Sequence, residues 1–444
     1  MFVTVLTIFG SILGLLVQIL VAQSFGIGAV VDSYFFSLSW PLLIAGVISS
    51  ALSFTLIPKV AALMLKQEAD VGEYIWTRYL GLIIIIFAFA PVALFLTWTQ
   101  LSFLDPYSPL KAAGNLKMLF LLAWFSAAFL VLKNFFVAVL HGLKYHVTAA
   151  TLSLSPYICM TLAMVFLSGS GFGIALPLIA MIFGLVLSIV SAIIILIRLF
   201  GFFYSWAASI KRAVEFLIEI PRAGLALSCF SIYSIIDAYI APRFGSGSLS
   251  TISLIQRFII GVGNLMVSGV SSVVIHVFIR QINESNYTGF IRSVCIYSVG
   301  IFVGAWIVFL PLYFVSFEAL ADLFVVELKN DLDVLRLQSY VVTMIPGACA
   351  MLTSVVLMRI LFCFDRGRVV GIFIGVLWAV LYSSLAMSNL ALGLSALTTS
   401  YTDSWFIVVL ALFVSVMCVA RIDMAGTSVS ETDKFEPIRH QSND

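Results

Sequence analysis

Two charged residues, Asp237 and Arg257, interrupt long apolar stretches in the second half of the sequence, on either side of a turn at Gly245. An arginine guanidinium presents a planar set of N–H donors that can bind a phosphate through two parallel hydrogen bonds. A nearby carboxylate can hold that guanidinium in place. Because a charge inside hydrocarbon costs at least about 2.5–3.5 kcal/mol, we expect both residues to face a cavity or a partner.

The spacing of Asp237 and Arg257 predicts that the two side chains pair. At about 1.5 Å per helical residue, they lie roughly 12 and 18 Å below the turn at Gly245, a difference that an arginine side chain can bridge. One hypothesis is a structural ion pair that holds two neighbouring helices together. The other, which the depth of Arg257 favours, is that Arg257 binds a substrate phosphate while Asp237 orients it.

Four further polar residues are candidates for a binding site. Asp32 lies in "AVVDSYFF", at the expected external mouth of the second helix, where a solvated loop acid is the alternative. Gln18, Gln256 and Asn264 are uncharged and could line a polar cavity, or they could form hydrogen bonds between helices. The four histidines and six cysteines show no spacing typical of metal ligands, so we predict no metal and no cofactor.

The composition defines the solvent in which these residues must be placed. Hydrophobic residues make up 62% of the chain and charged residues 10%, whereas a soluble protein has about 25% charged residues. That much apolar surface must face lipid. The net charge of +2 argues against nucleic-acid binding.

The apolar runs predict an all-α polytopic membrane protein with about twelve transmembrane helices. The first run has no basic segment before it, so we interpret it as a transmembrane helix and not as a secretory signal. The expected spans are 2–22, 34–58, 79–99, 117–140, 147–168, 173–197, 223–242, 250–278, 290–315, 337–361, 367–386 and 402–420.

Positively charged residues predict the orientation of these helices, because cytoplasmic connections are enriched in Lys and Arg. Of the 23 Lys and Arg residues, 17 fall on the side of the two termini, five fall on the opposite side, and Arg257 lies within the eighth span. We therefore predict that the N- and C-termini are cytoplasmic.

The stretches "SFGIGAVVDSYFF" (24–36) and "RFGSGSLSTISLI" (243–255) share a Phe-Gly-x-Gly turn and lie about half the chain length apart. A repeat at this distance predicts two six-helix lobes related by a parallel pseudo-twofold axis along the membrane normal. The alternative is that both turns are only tight hairpins, in which glycine takes a positive φ.

The predicted organisation has four parts. The N-terminal six-helix lobe covers 1–199, and an amphipathic linker between the lobes covers 200–222. The C-terminal six-helix lobe covers 223–421, and a polar, disordered cytoplasmic tail covers 422–444.

Two segments carry a resemblance to a known family. The segment 20–60, "LVAQSFGIGAVVDSYFFSLSWPLLIAGVISSALSFTLIPKV", resembles the opening hairpin of the MviN/MurJ lipid II flippase family, and 234–258, "SIIDAYIAPRFGSGSLSTISLIQRF", resembles its seventh and eighth helices. This family belongs to the MOP superfamily, together with Wzx polysaccharide flippases and MATE drug exporters. The sequence departs from the family at Val17-Gln18, where the family carries an Arg-Asp pair, and at "LLIAG" (42–46), where it carries arginines.

The resemblance implies a flippase, not an enzyme, in the bacterial inner membrane. Its substrate would be a polyprenyl-pyrophosphate-linked saccharide, either lipid II-like or an exopolysaccharide or O-antigen unit, moved by alternating access. The membrane potential or a coupled cation would supply the driving force, and glycan-synthesis enzymes are candidate partners. The resemblance favours a functional role for Asp32, so the candidate substrate-binding residues are Arg257, Asp237, Asp32, Gln18, Gln256 and Asn264.

Three alternatives remain open at this stage. A MATE-like, cation-coupled exporter of small molecules is expected to have acids in its cavity, and Arg257 counts against it. A membrane glycan polymerase or ligase needs a catalytic domain, and the longest external connections, about 20 residues, are too short for one. A scaffold that only recruits partners is the third alternative, because the arginines of the first lobe are missing.

The orientation can be tested by cysteine-accessibility labelling in a variant that lacks the six native cysteines. A cysteine introduced at Ser170 is expected to react with an external, membrane-impermeant reagent, and one introduced at Ser430 is not. Labelling of position 430 but not of 170 would reverse the predicted topology.

Overall fold

The computed structural model describes residues 2–65, 71–103, 115–202, 205–228, 232–284, 286–311, 331–364, 366–388 and 393–432. Its regular structure in these ranges is helical, as the apolar runs predict. The α-helices in chain order are α1 (Phe2–Phe25), α2 (Ala29–Leu65), α3 (Val71–Phe103), α4 (Leu116–Gly142), α5 (His146–Leu167), α6 (Leu176–Phe200), α7 (Trp206–Ser228), α8 (Tyr233–Ile240), α9 (Ser248–Asn283), α10 (Tyr287–Phe309), α11 (Asp331–Leu361), α12 (Gly367–Ser388) and α13 (Leu394–Thr432).

Ten helical segments among the described residues are long and apolar enough to cross a membrane, in α1 to α6 and α10 to α13. The seventh predicted span divides between the end of α7 and the short α8. The eighth lies within α9, a helix of 36 residues. The chain is a multi-pass helical membrane protein, and the two-lobe repeat stays a prediction.

The predicted boundaries of the linker and the tail fall on helices. Helix α7 begins at Trp206 and covers most of the segment predicted as an amphipathic linker. Helix α13 continues to Thr432, beyond the start of the segment predicted as a disordered tail. The rest of that tail, 433–444, lies outside the described residues.

The outer faces of the helices carry large apolar side chains. Phe87 on α3 is 75% exposed and Phe166 on α5 is 76% exposed. A soluble protein rarely leaves such side chains in contiguous exposed patches. Their exposure is what a surface in contact with lipid tails requires.

Glycine allows two pairs of helices to pack at close range. A Cβ atom at Gly81 of α3 would lie 2.9 Å from the backbone nitrogen of Ala213 and from the carbonyl oxygen of Ser209, both on α7. A Cβ atom at Gly184 of α6 would lie 2.6 Å from the Cα atom of Pro156 on α5. Small residues at such crossings are typical of helix packing in membranes, where close backbone contact replaces the hydrophobic effect.

The two Phe-Gly-x-Gly turns lie against each other at one end of the bundle. A Cβ atom at Gly247 would be 3.0 Å from Ile27, and one at Gly28 would be 4.0 Å from Ser246. Gly26 and Gly245 have φ angles of 70° and 116°, so the prediction that glycine supplies a positive φ in these turns is confirmed. Helices α1, α2, α8 and α9 therefore meet at this end.

Candidate functional site

A cavity of about 450 Å³ lies between α1, α5 and α9. Along α1 its lining extends from Val3 to Gln18, a length of about 22 Å at 1.5 Å per residue. Tyr157 of α5 lines the same cavity, as do Arg257 and Gly261 of α9. The cavity therefore lies between helices that the sequence assigns to different lobes.

Arg257 is the positive charge in this cavity. Its Nη1 atom donates a hydrogen bond to Oε1 of Gln18 at 3.2 Å. The guanidinium lies over the ring of Phe35, 4.7 Å from the ring centre, which is close enough for a cation–π interaction. Within the described part of the chain, no carboxylate lies within 4 Å of Arg257, so its partners are neutral.

The prediction that Asp237 and Arg257 pair is wrong. Asp237 is 1% exposed and accepts a hydrogen bond from Nε2 of Gln256 at 2.6 Å. A second hydrogen bond comes from the hydroxyl of Tyr382. Asp237 lies on α8, an eight-residue helix that passes into a 3₁₀ turn, so the straight antiparallel hairpin on which the prediction rested is not formed, and the carboxylate faces α12.

Aromatic side chains surround the Asp237 carboxylate. Trp378 stacks on Tyr382, with ring centres 5.8 Å apart and planes 5° apart, and Trp405 lies 4.6 Å from Trp378. Tyr233 contacts Tyr401 edge to face at 6.2 Å. These rings exclude water from the carboxylate and leave its hydrogen bonds to Tyr382 and Gln256.

Sequence reasoning missed Tyr382. The signal for it was the spacing of Trp378 and Tyr382, which places two large polar aromatics on one face of the eleventh predicted span. A distant buried carboxylate cannot be matched to such a face without knowing how the helices pack. Arg257 and Asp237 thus belong to two separate polar sites.

Asp32 joins the two Phe-Gly-x-Gly turns. Its Oδ2 atom accepts a hydrogen bond from the backbone N–H of Gly247 and its Oδ1 atom accepts one from Ser250, both at 2.6 Å. Asp32 is 1% exposed. Because these N–H groups lie at the start of α9, the carboxylate caps that helix and favours its positive end. Its role in substrate binding stays a prediction, since both oxygens are engaged in this conformation.

The three uncharged candidates are placed differently. Gln18 lines the cavity and orients Arg257. Gln256 is buried and binds Asp237, so it belongs to the aromatic site and not to the cavity. Asn264 is a helical residue of α9, and its side chain lies outside the described part of the structure.

A pair of histidines lies at the far end of the cavity from Arg257. His141, at the end of α4, lines the cavity. Its Nδ1 atom lies 3.0 Å from Nδ1 of His146, at the start of α5, so in the neutral pair one ring donates and the other accepts. This end is the one that the positive charges predict to be cytoplasmic.

The fold is similar to those of solved transporters. The lipid II flippase MurJ in an inward closed conformation matches with a TM-score of 0.74 and 18% identity, covering 97% of this chain and 92% of MurJ. A MATE-family multidrug resistance transporter in an inward-facing conformation matches with a TM-score of 0.71 and 15% identity, covering 95% and 96% of the two chains. A MOP-superfamily transporter from Pyrococcus furiosus matches with a TM-score of 0.60 and 14% identity, covering 96% of each.

These similarities define the class of protein. At the level of sequence the chain matches no protein-family model and no curated protein. The structural matches show that the fold of this multi-pass helical chain is similar to the fold of the MurJ and MATE transporters. Its structural relatives are transporters and not enzymes. MurJ and the MATE transporter match almost equally well, so the fold alone does not select a substrate.

The capping role of Asp32 predicts a loss of stability when the carboxylate is removed. Asp32→Ala leaves two buried N–H groups without acceptors and should destabilise the protein by about 1–3 kcal/mol. Asp32→Asn keeps one acceptor oxygen and should have a smaller effect. Thermal unfolding in detergent measures both, with Asp403→Ala, at an exposed position on α13, as the control. Equal unfolding temperatures for Asp32→Ala and the control would contradict the role.

Proposed function

We propose that this protein is a flippase that moves a polyprenyl-pyrophosphate-linked saccharide across a bacterial inner membrane by alternating access. The substrate headgroup would occupy the cavity between α1, α5 and α9. The termini would be cytoplasmic, as the positive charges predict. The membrane potential or a coupled cation would drive transport, and the enzymes that assemble the saccharide would be the functional partners.

The environment of Arg257 is the main support for this proposal. Its guanidinium lines the cavity and contacts a glutamine oxygen and an aromatic ring. Neither partner neutralises the charge, and an unneutralised cation in a low-dielectric setting attracts an anion strongly. A pyrophosphate matches this charge and the bidentate geometry of the guanidinium. Gln18 accepts one N–H and thereby fixes the direction in which the remaining donors point.

The shape of the molecule supports the same proposal. Asp32 and the packed glycine turns close the end of the bundle predicted to be external. The cavity extends along α1 from Gln18 toward Val3, at the end predicted to be cytoplasmic. A site accessible from one side and closed on the other is what alternating access requires of each conformation. The similarity to the lipid II flippase MurJ, with a TM-score of 0.74, agrees with this reading.

The second candidate function is a cation-coupled exporter of small molecules, and Asp237 favours it. The Asp237 carboxylate is buried among aromatic rings, with hydrogen bonds from Gln256 and Tyr382. A carboxylate in such a setting can take up a cation, and aromatic faces favour organic cations. The similarity to the MATE transporter, with a TM-score of 0.71, agrees with this candidate.

The first proposal predicts a specific defect for Arg257→Lys. The change keeps the positive charge but removes the bidentate hydrogen bonds, so it should reduce transport about tenfold, and Arg257→Ala should reduce it by about 100-fold. Transport is measured as flipping of a fluorescent polyprenyl-pyrophosphate-linked oligosaccharide in proteoliposomes. Arg243→Lys, the same change at an exposed arginine, is the control and should transport normally.

The same assay separates the two candidates. Normal flipping by Arg257→Ala would refute the first proposal. Efflux of an organic cation that is lost in Asp237→Asn and kept in Arg257→Ala would establish the exporter instead. Because the two residues do not contact each other, their single changes should not compensate in the double variant.

If the substrate headgroup occupies this cavity, a bulkier side chain inside it should reduce flipping. Gly261 lines the cavity one helical turn from Arg257, and a Cβ atom there would meet no heavy atom within 4 Å. Gly261→Leu should therefore fold normally, place its side chain in the cavity and strongly reduce flipping. Gly300→Leu makes the same change at an exposed glycine of α10 that also faces open space. Unchanged flipping by Gly261→Leu would show that the substrate does not use this cavity.

A further inference from the structure

A second cavity, of about 350 Å³, lies where the end of α2, the start of α3 and the first half of α7 meet. It shares no lining residue with the cavity around Arg257. Its charged and polar lining residues are Lys59, Tyr74, Arg78, Arg212 and Glu215, and its apolar ones are Ala62 and Leu63. Its volume falls in the range of about 300–1,000 Å³ that is usual for small-molecule sites.

Arg78 lines this cavity, and contacts with Glu215, Tyr74 and Phe216 hold its side chain in place. It is 1% exposed, and its Nη2 atom donates to Oε2 of Glu215 at 3.0 Å. Its guanidinium lies 5.1 Å from the ring centre of Tyr74 and 4.7 Å from that of Phe216. A guanidinium fixed between two rings loses little further entropy when it binds an anion.

Arg212 places a second guanidinium at the same carboxylate. Its Nη1 atom lies 2.8 Å from Oε2 of Glu215, and its guanidinium lies 5.5 Å from the ring centre of Tyr74. One carboxylate thus bridges two arginines, and Lys59 of α2 lines the same space. Three cationic side chains and one carboxylate therefore line this cavity, counted over the lining residues that the structure describes.

Helix α7 has three different faces. Trp206, Ile210, Val214 and Leu217 are between 45% and 59% exposed and recur at intervals of three or four residues, so they share one apolar face. At 3.6 residues per turn, Arg212 and Glu215 lie on the other side of the helix, where they line the cavity. A third face, which includes Phe216, packs against the rest of the protein, and Gly81 lets α3 approach closely. A helix with one exposed apolar face and one charged face is typical of the membrane interface.

We propose that this cavity binds the headgroup phosphate of an anionic phospholipid, with the acyl chains leaving the cavity past Ala62 and Leu63, its apolar lining residues. Arg78, Arg212 and Lys59 would contact the phosphate, and Glu215 would hold the two guanidinium groups at the right distance. Basic pockets between helices near the cytoplasmic surface are typical sites for anionic headgroups. The positive charges of the sequence predict that this end of the bundle faces the cytoplasm. The inference does not rest on the proposed transport activity.

The binding test compares two lipids on the full-length protein. Native mass spectrometry in detergent measures binding of phosphatidylglycerol and of phosphatidylcholine with the same acyl chains. The wild-type protein is expected to prefer phosphatidylglycerol, and Arg212→Gln and Lys59→Gln are each expected to lower that preference about fivefold. Lys211→Gln is the matched control, since Lys211 is exposed on α7, next to Arg212 in sequence and outside the cavity.

Two results would overturn the inference. One is the absence of any preference for phosphatidylglycerol in the wild-type protein. The other is an equal loss of preference in Lys211→Gln and in the cavity variants, which would indicate attraction to the whole surface. If Arg212→Gln does not elute as a folded protein, the lipid preference of Lys59→Gln, a change on α2, is compared with that of Lys211→Gln.

A further measurement separates a lipid from a soluble phosphate. Glycerophosphoglycerol, the headgroup without its acyl chains, should bind at least about tenfold more weakly than phosphatidylglycerol, because it has no chains to contact Ala62, Leu63 and the surrounding apolar surface. Equal binding of the two compounds would show that the chains make no contact. The site would then belong to a soluble phosphate compound, and the proposal would be wrong.

Discussion

Hydrocarbon offers no hydrogen bonds and no counterions, so a charged side chain inside this bundle needs partners within the protein or a ligand. Asp32, Asp237 and Arg257 meet this constraint in different ways. Both carboxylate oxygens of Asp32 accept hydrogen bonds from backbone N–H groups at the start of α9. Asp237 is held by Gln256 and Tyr382. Among the described residues, Arg257 contacts a glutamine oxygen and an aromatic ring and no carboxylate, and for this reason the proposed function assigns an anionic ligand to it.

The separation of Arg257 from Asp237 bears directly on mechanism. A salt bridge between them would have neutralised both and left a structural pair with little affinity for a ligand. Instead, a cation lines one cavity while a carboxylate lies among aromatic rings elsewhere. Under the proposed function the cation would bind an anionic headgroup, and under the exporter alternative the carboxylate would bind a cation. This division agrees with a fold shared by MurJ and MATE transporters.

Helix α7 combines two roles in one short segment. Its inner face packs on α3 through Gly81, and this close contact brings Glu215 to Arg78. Another face carries exposed apolar side chains. The packing of α7 on α3 therefore creates a basic cavity on one side of the helix and leaves an apolar face exposed on the other. A bound anionic lipid would stabilise this contact between α3 and α7, since a ligand that binds only the folded arrangement favours it.

The sequence by itself determined the helical membrane class, most of the spans and the glycine turns, because hydropathy and backbone constraints are local properties. It also identified Asp32, Asp237 and Arg257 as the charges to be explained. Their partners could not be read from it. Tyr382 lies 145 residues from Asp237 and Gln18 lies 239 residues from Arg257, and helical register at such distances depends on packing. Asp237 lies on the short α8 and is bound by Tyr382 of α12 and not by Arg257, so only the tertiary structure decided which charges would meet.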